Sequence, residues 1–288
     1  MDDVFLENDF LKIKVKHKGA ELCSLFNKQT ALEYVWPAGD EWAKHAPLLF
    51  PIVGQLKNDQ YEYKAKMFTM ERHGFARTKN FRLKSNTSQS LTFILESDAQ
   101  TMLHYPFAFQ LEVSYTLHQH LLAINYKVIN PVSDELLFSI GAHPAFKIPL
   151  LKEEFYSDYY LQFNHPENAD RWLLCAGLIA ESTPYFTNRD QLPLSHSLFK
   201  DDALVFKNMQ STIISIRCKK TEHGLHFKMD GYPFLGIWAA KNANFVCIEP
   251  WHGIADGVNT SGMLENKEGI IKLSGHNEFN CAYSIETF

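Results

Sequence analysis

A chain of 288 residues with 45% hydrophobic content, 22 phenylalanines and 12 tyrosines carries ample core material, at the upper end of what one folded unit spans. Its formal charge of -5 argues against a nucleic-acid partner, which demands a basic face. The acidic start (Met1-Asp2-Asp3-Val4) and the lack of an apolar run of membrane-spanning length argue against a secretory leader and a membrane partner. Cysteines at 23, 175, 218, 247 and 281 follow no disulfide or zinc spacing, so reduced thiols in a cytoplasmic protein are expected.

Period-two patterning dominates. Strand-like runs cover Phe10 to Val15 and Leu91 to Leu95. Leu111, Val113, Tyr115 and Leu117 alternate with polar partners, as do Leu122, Ile124, Tyr126 and Val128, and the His118-Gln119-His120 link predicts a hairpin. Helical periodicity is confined to short turns over Lys152 to Tyr160 and His196 to Phe199. The stretch from Leu150 to Leu194 is less regular and is expected to supply connections or a subsidiary element. Further strands are expected over Ile213 to Ile216, Phe234 to Trp238 and Ala282 to Ile285. With no repeat, linker or low-complexity tract, the pattern predicts an all-β chain: one large antiparallel β-sandwich in a single domain over residues 1–288.

The chemistry concentrates where strands end. Phe245 to Ile248 delivers Glu249 into Pro250-Trp251-His252-Gly253, a break where backbone leaves a sheet and side chains become free to act. Partial desolvation there makes a carboxylate a stronger base; the alternative is a rim glutamate bonded to a loop backbone. Gly141-Ala142-His143-Pro144-Ala145-Phe146 repeats the design with a histidine flanked by small residues, against the alternative of a satisfied structural histidine. His73-Gly74-Phe75-Ala76-Arg77 adds a second histidine and a guanidinium whose fork of donors suits hydroxyls or an anion. An unpartnered surface arginine is the other reading of Arg77.

Trp42, Phe75, Trp238 and Trp251 offer flat apolar faces of the kind on which the C–H faces of sugar rings lie. Trp251, in its Pro-His-Gly loop, is the better pocket wall, and Trp238 the better core residue. Asp256 has three readings: orienting a histidine, binding a hydroxyl, or capping the turn before Gly257. The pairs His118/His120 and His223/His226 have no companion at zinc or iron spacing, so no metal centre is expected. The chain lacks a Gly-rich phosphate loop, a nucleophile-elbow serine and a dinucleotide signature, which disfavours phosphate-activating and nicotinamide chemistry.

Four motifs in order carry a family likeness: Pro47-Leu48-Leu49-Phe50-Pro51-Ile52-Val53-Gly54, His73-Gly74-Phe75-Ala76-Arg77, Gly141-Ala142-His143-Pro144-Ala145-Phe146 and Cys247-Ile248-Glu249-Pro250-Trp251. Together they resemble the aldose 1-epimerase (galactose mutarotase-like) superfamily, most of all its LacX-like branch, over Leu11 to about Ser284. The resemblance implies a β-supersandwich, no metal or cofactor, and interconversion of the α and β anomers of a hexose. It also implies Glu249 as general base, His143 as general acid and His73 in the sugar pocket. Their matched strand-end settings and complementary proton roles predict that Glu249 and His143 face each other across a pocket wide enough for a pyranose ring.

One departure stands out. Many relatives carry arginine directly after the glycine matching Gly54, where this chain has Gln55, so either Gln55 or Arg77 takes that sugar-binding duty or the substrate differs. Asp230 is the candidate for the aspartate that holds sugar hydroxyls in galactose mutarotases; Trp251 and Trp238 complete the expected substrate-binding set. Three alternatives remain. A hexose-6-phosphate 1-epimerase needs a basic cluster at the pocket mouth, for which Arg72, Arg77 and Lys79 are available, while Gln55 argues against it. A non-catalytic sugar-binding or regulatory protein needs only the pocket. A glycoside hydrolase needs a second carboxylate, with only Asp256 on offer. In each case the partner is a small-molecule sugar or its phosphate.

Overall fold

The computed structural model describes residues 3–288; the start of the acidic leader segment, Met1-Asp2, lies outside the described residues. Every pairing between strands is antiparallel within a four-stranded N-terminal sheet, a fifteen-stranded sheet and two small two-stranded sheets. Leu11, Ile13 and Leu25 of the N-terminal sheet share one buried cluster with Phe93, Leu111, Val113 and Ile124 of the large sheet. The fold is therefore the large antiparallel β-sandwich that the alternation predicts. Burial at every second residue is the cause: the strand Leu121–Ile129 buries Leu122, Ile124, Tyr126 and Val128, and leaves the residues between them half-exposed. Its partner Gln110–His118 pairs in register, Leu117 with Leu122, across a tight turn in which Gln119 takes φ 52°.

The strands Leu11–Val15, Ser90–Glu96, Ile213–Cys218, Phe234–Trp238 and Glu278–Thr287 stand where the alternating runs predict them. The two expected helical turns reduce to 3-10 turns at Tyr156–Asp158 and His196–Phe199. A six-residue helix, Ala99–His104, has no counterpart in the sequence reading. It is too short to show a period, and its signal is the cap: the Asp98 carboxylate accepts from the Thr101 N–H at 2.7 Å.

The stretch from Leu150 to Leu194 departs most from expectation. It forms a hairpin of two long strands, Tyr159–Cys175 and Leu178–Pro193. Register shifts between Gln162 and Glu167, around Ala169, and between Trp172 and Leu174 break the period of two. Its turn, Ala176-Gly177, has φ of 51° and 81°, the left-handed pair that joins strands through two residues. That turn folds back over the main sheet, where the Ile179 N–H donates to the Asp256 carbonyl at 2.8 Å. A satellite apolar cluster gathers beneath it from Leu49, Val53, Ile179, Val205, Trp251 and Ile254. Among the described residues no helix is long and apolar enough to cross a membrane.

Candidate active site

The central strand here is Phe245–His252, paired on one edge with Phe234–Trp238 and on the other with two short strands, Ile140–Ala142 and Ala145–Lys147. Gly141 pairs with Trp251 and Ala145 pairs with Cys247, so His143, in the break between the short strands, stands opposite Glu249. Pro144, with no N–H to give a ladder, belongs at such a break. Along the central strand Cys247, Glu249 and Trp251 share one face, two residues apart. Trp251 fits there because glycine stands opposite it on one edge, at Gly141, and diagonally across the other, at Gly236. A Cβ on Gly141 would lie 2.6 Å from its Cδ1, and one on Gly236 would lie 2.4 Å from its Cζ2.

His143 Nε2 lies 3.2 Å from Glu249 Oε2, and both side chains are buried. They are thus in contact on one wall, not separated by the width of a sugar ring as the sequence reading expects. Trp42 stacks on the His143 ring with centroids 5.1 Å apart, and Trp238 meets it edge-on at 5.6 Å. Burial pushes the Glu249 carboxyl well above the usual carboxylate range. Burial also pushes His143 down to about 3, with the charges of Arg72, Lys44 and Arg77 acting the same way. The pair therefore rests electrically neutral, with one proton between a carboxyl and an imidazole. Cys247, a thiol raised by burial, completes a set of three donors: a ring nitrogen, a sulfur and a carboxylate oxygen within 4.8 Å of one another.

His73 occupies a left-handed backbone position (φ 69°), followed by Gly74 at φ 68°, a tight turn that brings its ring back to Gly54. The His73 N–H donates to the Gly54 carbonyl at 2.9 Å, and the Gly54 N–H donates to His73 Nδ1 at 3.1 Å. Nδ1 is thereby an acceptor. Arg72 Nε donates to the other ring nitrogen, His73 Nε2, at 3.3 Å, and Arg77 Nη2 donates to the Arg72 carbonyl at 2.6 Å.

These groups line one cavity of about 210 Å³, walled by Trp42, Trp238 and Trp251, by Lys44, Arg72 and Arg77, and by Leu174, Gly177 and Ile179 from the long hairpin. Trp238 is a lining residue and not only core. Two expected substrate contacts fall elsewhere. Asp230 is exposed in the turn after Leu225–Lys228, because Met229 takes the inward position. Gln55 turns away from the cavity lining; its amide donates to the Asp59 carboxylate. Asp256 orients no histidine. It is buried against Lys267, Oδ1 to Nζ 3.0 Å, and its Oδ2 accepts from the Lys57 N–H at 3.0 Å. The cavity also holds two charges that sequence reading missed, Lys44 and Asp202. Both lie in loops, Asp202 in the charged run Lys200-Asp201-Asp202, with no local signal of where the loop closes.

The site is thus a contacting carboxyl–imidazole pair in a tryptophan-walled cavity of an antiparallel β-sandwich. The family model described as aldose 1-epimerase matches residues 2–269, and the chain belongs to that family. It is 34% identical over 280 residues to the chromosomal LacX protein of Lactococcus lactis subsp. lactis, covering 93% of each chain. A galactose mutarotase related enzyme from Lactobacillus acidophilus superposes with a TM-score of 0.96 at 35% identity, covering 100% of this chain and 97% of that one. A galactose mutarotase-like protein from Lactobacillus casei ATCC 334 gives 0.92 at 29% identity, with 100% of both chains covered.

Proposed function

We propose that the protein is an aldose 1-epimerase, an isomerase that interconverts the α and β anomers of a hexose with Glu249 as base and His143 as acid. The observation that carries this reading is the Glu249–His143 contact at 3.2 Å inside the cavity. The two sugar oxygens that exchange protons, the anomeric hydroxyl and the ring oxygen, are bonded to the same carbon. An acid and a base serving them must therefore be close neighbours, and a contacting pair meets that demand better than one split across the pocket.

The proton count balances. Transfer of the shared proton from Glu249 to His143 Nε2 arms the pair without a change of net charge. Glu249 then takes the proton of the anomeric hydroxyl, the freed electron pair forms the carbonyl, and the bond from the anomeric carbon to the ring oxygen breaks. That oxygen collects the proton from His143. Rotation about the adjacent carbon–carbon bond exposes the other carbonyl face, and closure runs the same transfers backward. Trp42, Trp238 and Trp251 hold the apolar face of the ring, while His73 and Asp202, from the same cavity lining, serve its hydroxyls.

The test is polarimetry on freshly dissolved aldoses. Mutarotation proportional to enzyme concentration supports the reading; rates equal to buffer alone across a sugar panel that includes phosphorylated hexoses reject it.

A further inference from the structure

We propose that Glu21, which lies outside the cavity lining, is a positioning residue for the acid/base pair, because it ties down the loop that lays Trp42 on the His143 ring. The kinetic part of this role rests on the epimerase reading above; the packing part does not. Trp42 belongs to residues 36–47, which form no regular strand or helix between the Val35–Phe146 bridge and the strand Leu48–Leu49. Its neighbours Glu41 and Ala43 are exposed, so its own flanks do not bury the indole. The indole is nevertheless held in a defined stack, 5.1 Å from His143 at 25° and 5.4 Å from Phe245 at 30°.

The ties that hold it can be followed bond by bond. The Trp36 N–H donates to the Ala145 carbonyl and the Ala145 N–H donates to the His45 carbonyl, each at 2.9 Å. Both stems of the loop thus grip the short strand that follows His143. Within the loop, Trp36 Nε1 donates to the Trp42 carbonyl at 2.9 Å, and the Trp42 N–H donates to the Gly39 carbonyl at 3.2 Å. The returning stem is set from outside. The His45 and Ala46 N–H groups both donate to one oxygen, Glu21 Oε1, at 2.8 and 3.0 Å. Both residues are buried, and neither N–H has another acceptor among the described residues. Two buried donors converging on a charged acceptor make a strong, directional tie that is costly to leave unmade.

The His45 ring braces the same stem. Its Nδ1 lies 2.8 Å from the Trp36 carbonyl and so carries the proton, while Lys16 Nζ donates to Nε2 at 3.0 Å. Lys16 and Glu21 stand in the turn between Leu11–Val15 and Leu22–Asn27, so the N-terminal sheet reaches the acid/base pair through this loop. Trp42 in turn helps to leave His143 only 9% exposed. Water admitted beside the imidazole would compete for the proton that the pair exchanges, so the slack loop should slow the chemistry more than it weakens sugar binding.

The experiment compares Glu21→Gln, Glu21→Asp and Glu21→Ala, each alone and with Trp42→Ala, with folding checked by thermal denaturation. The amide keeps an oxygen at the Oε1 position, whereas the shorter carboxylate keeps the charge but withdraws the oxygen. The readouts are the His143 ring resonances in NMR of histidine-labelled protein, shielded by the stacked indole, and kcat and KM for aldose anomerisation. Glu21→Gln should leave the resonances and kcat near wild type. Glu21→Asp and Glu21→Ala should move the resonances toward those of Trp42→Ala and lower kcat about ten- to a hundredfold, more than they raise KM. Combined with Trp42→Ala they should cost nothing further, because their effect runs through the indole. Unmoved resonances in folded Glu21→Asp, or additive losses in the double variants, overturn the role. Failure of both Glu21→Asp and Glu21→Ala to fold would mark Glu21 as a stability residue only and would overturn it too. If the wild type turns over no sugar, the epimerase reading fails on its own, and the His143 resonances still decide whether Glu21 holds Trp42 in place.

Discussion

Gly236 and Trp251 are packed so closely across neighbouring strands that a methyl group on the glycine would lie 2.4 Å from the indole. The same substitution would put a carbon 3.3 Å from the Glu249 Cβ, so one position governs both the cavity wall and the proposed base. Gly236→Ala must push the ring or the strand aside, an overpacking change that typically costs about 1–3 kcal/mol. The expected outcome is lower stability in denaturant titration together with a raised Michaelis constant. A variant with wild-type values of both would show that the indole moves freely.

The pH profile follows from the resting state of the pair. The competent form holds one proton beyond the N–H of the neutral imidazole. A second proton adds to His143 only near its depressed pKa of about 3. The single proton is lost from Glu249 only well above the usual carboxylate range. As pH falls from 6.5 toward 4.5, protonation of His143 should therefore cost kcat/KM little. An ordinary histidine, titrating near 6.5, would lose about a hundredfold over the same window if it had to start unprotonated. A descending limb centred near 6.5 would contradict this account of the pair.

Lys267 and Asp256 form a buried ion pair that clamps the loops around the site. Lys267 Nζ also donates to the Ile254 carbonyl at 2.5 Å, and burial pushes its ammonium down. Asp256 meanwhile links to Lys57 through its side chain, and to Gln55 and Ile179 through its backbone. Lys267→Met leaves a buried carboxylate unpaired and should cost about 3–5 kcal/mol. Adding Asp256→Leu should recover part of that loss, whereas simple additivity of the two variants would show that the pair is not coupled.

The three-donor set at His143, Cys247 and Glu249 makes a separate demand. Exhaustive chelation should leave the rate unchanged, because the proposed proton exchange needs only the pair. Added zinc should inhibit, because a ligated imidazole and carboxylate can no longer pass protons. Cys247→Ser should weaken that inhibition, and stimulation by zinc after chelation would refute the metal-free mechanism.

Much of this architecture is legible in the sequence, for physical reasons. His143 ends an apolar run at a Pro break, and a side chain freed from a ladder has a local signature. So do the alternating strands on either side of Gln119. Glu249 does not end its strand as expected: the strand runs on through Pro250 and Trp251 to His252, and Glu249 pairs with Gly236 inside the ladder. The long hairpin was hidden because bulges between Gln162 and Glu167 and around Ala169 cancel the very period that reveals strands. Its Ala176-Gly177 turn nevertheless supplies a cavity wall. Lys44 and Asp202 were invisible for another reason: their place in the cavity depends on how loops close in three dimensions. Asp230 and Gln55 failed because neighbouring constraints, the inward Met229 and the nearby Asp59, decide where those side chains point.

The central claim is that Glu249 moves the proton of the anomeric hydroxyl, and Glu249→Gln tests it most directly. The amide keeps the shape and removes the acceptor. Folding should survive: burial raises the carboxyl's pKa above its unfolded value of about 4.5, so wild-type stability falls, relative to the amide, as pH climbs from there toward the folded pKa. Initial anomerisation rates of the folded variant should drop about 10²–10⁴-fold. Retention of more than about a tenth of wild-type turnover, far short of that loss, would contradict the assignment of Glu249 as the base.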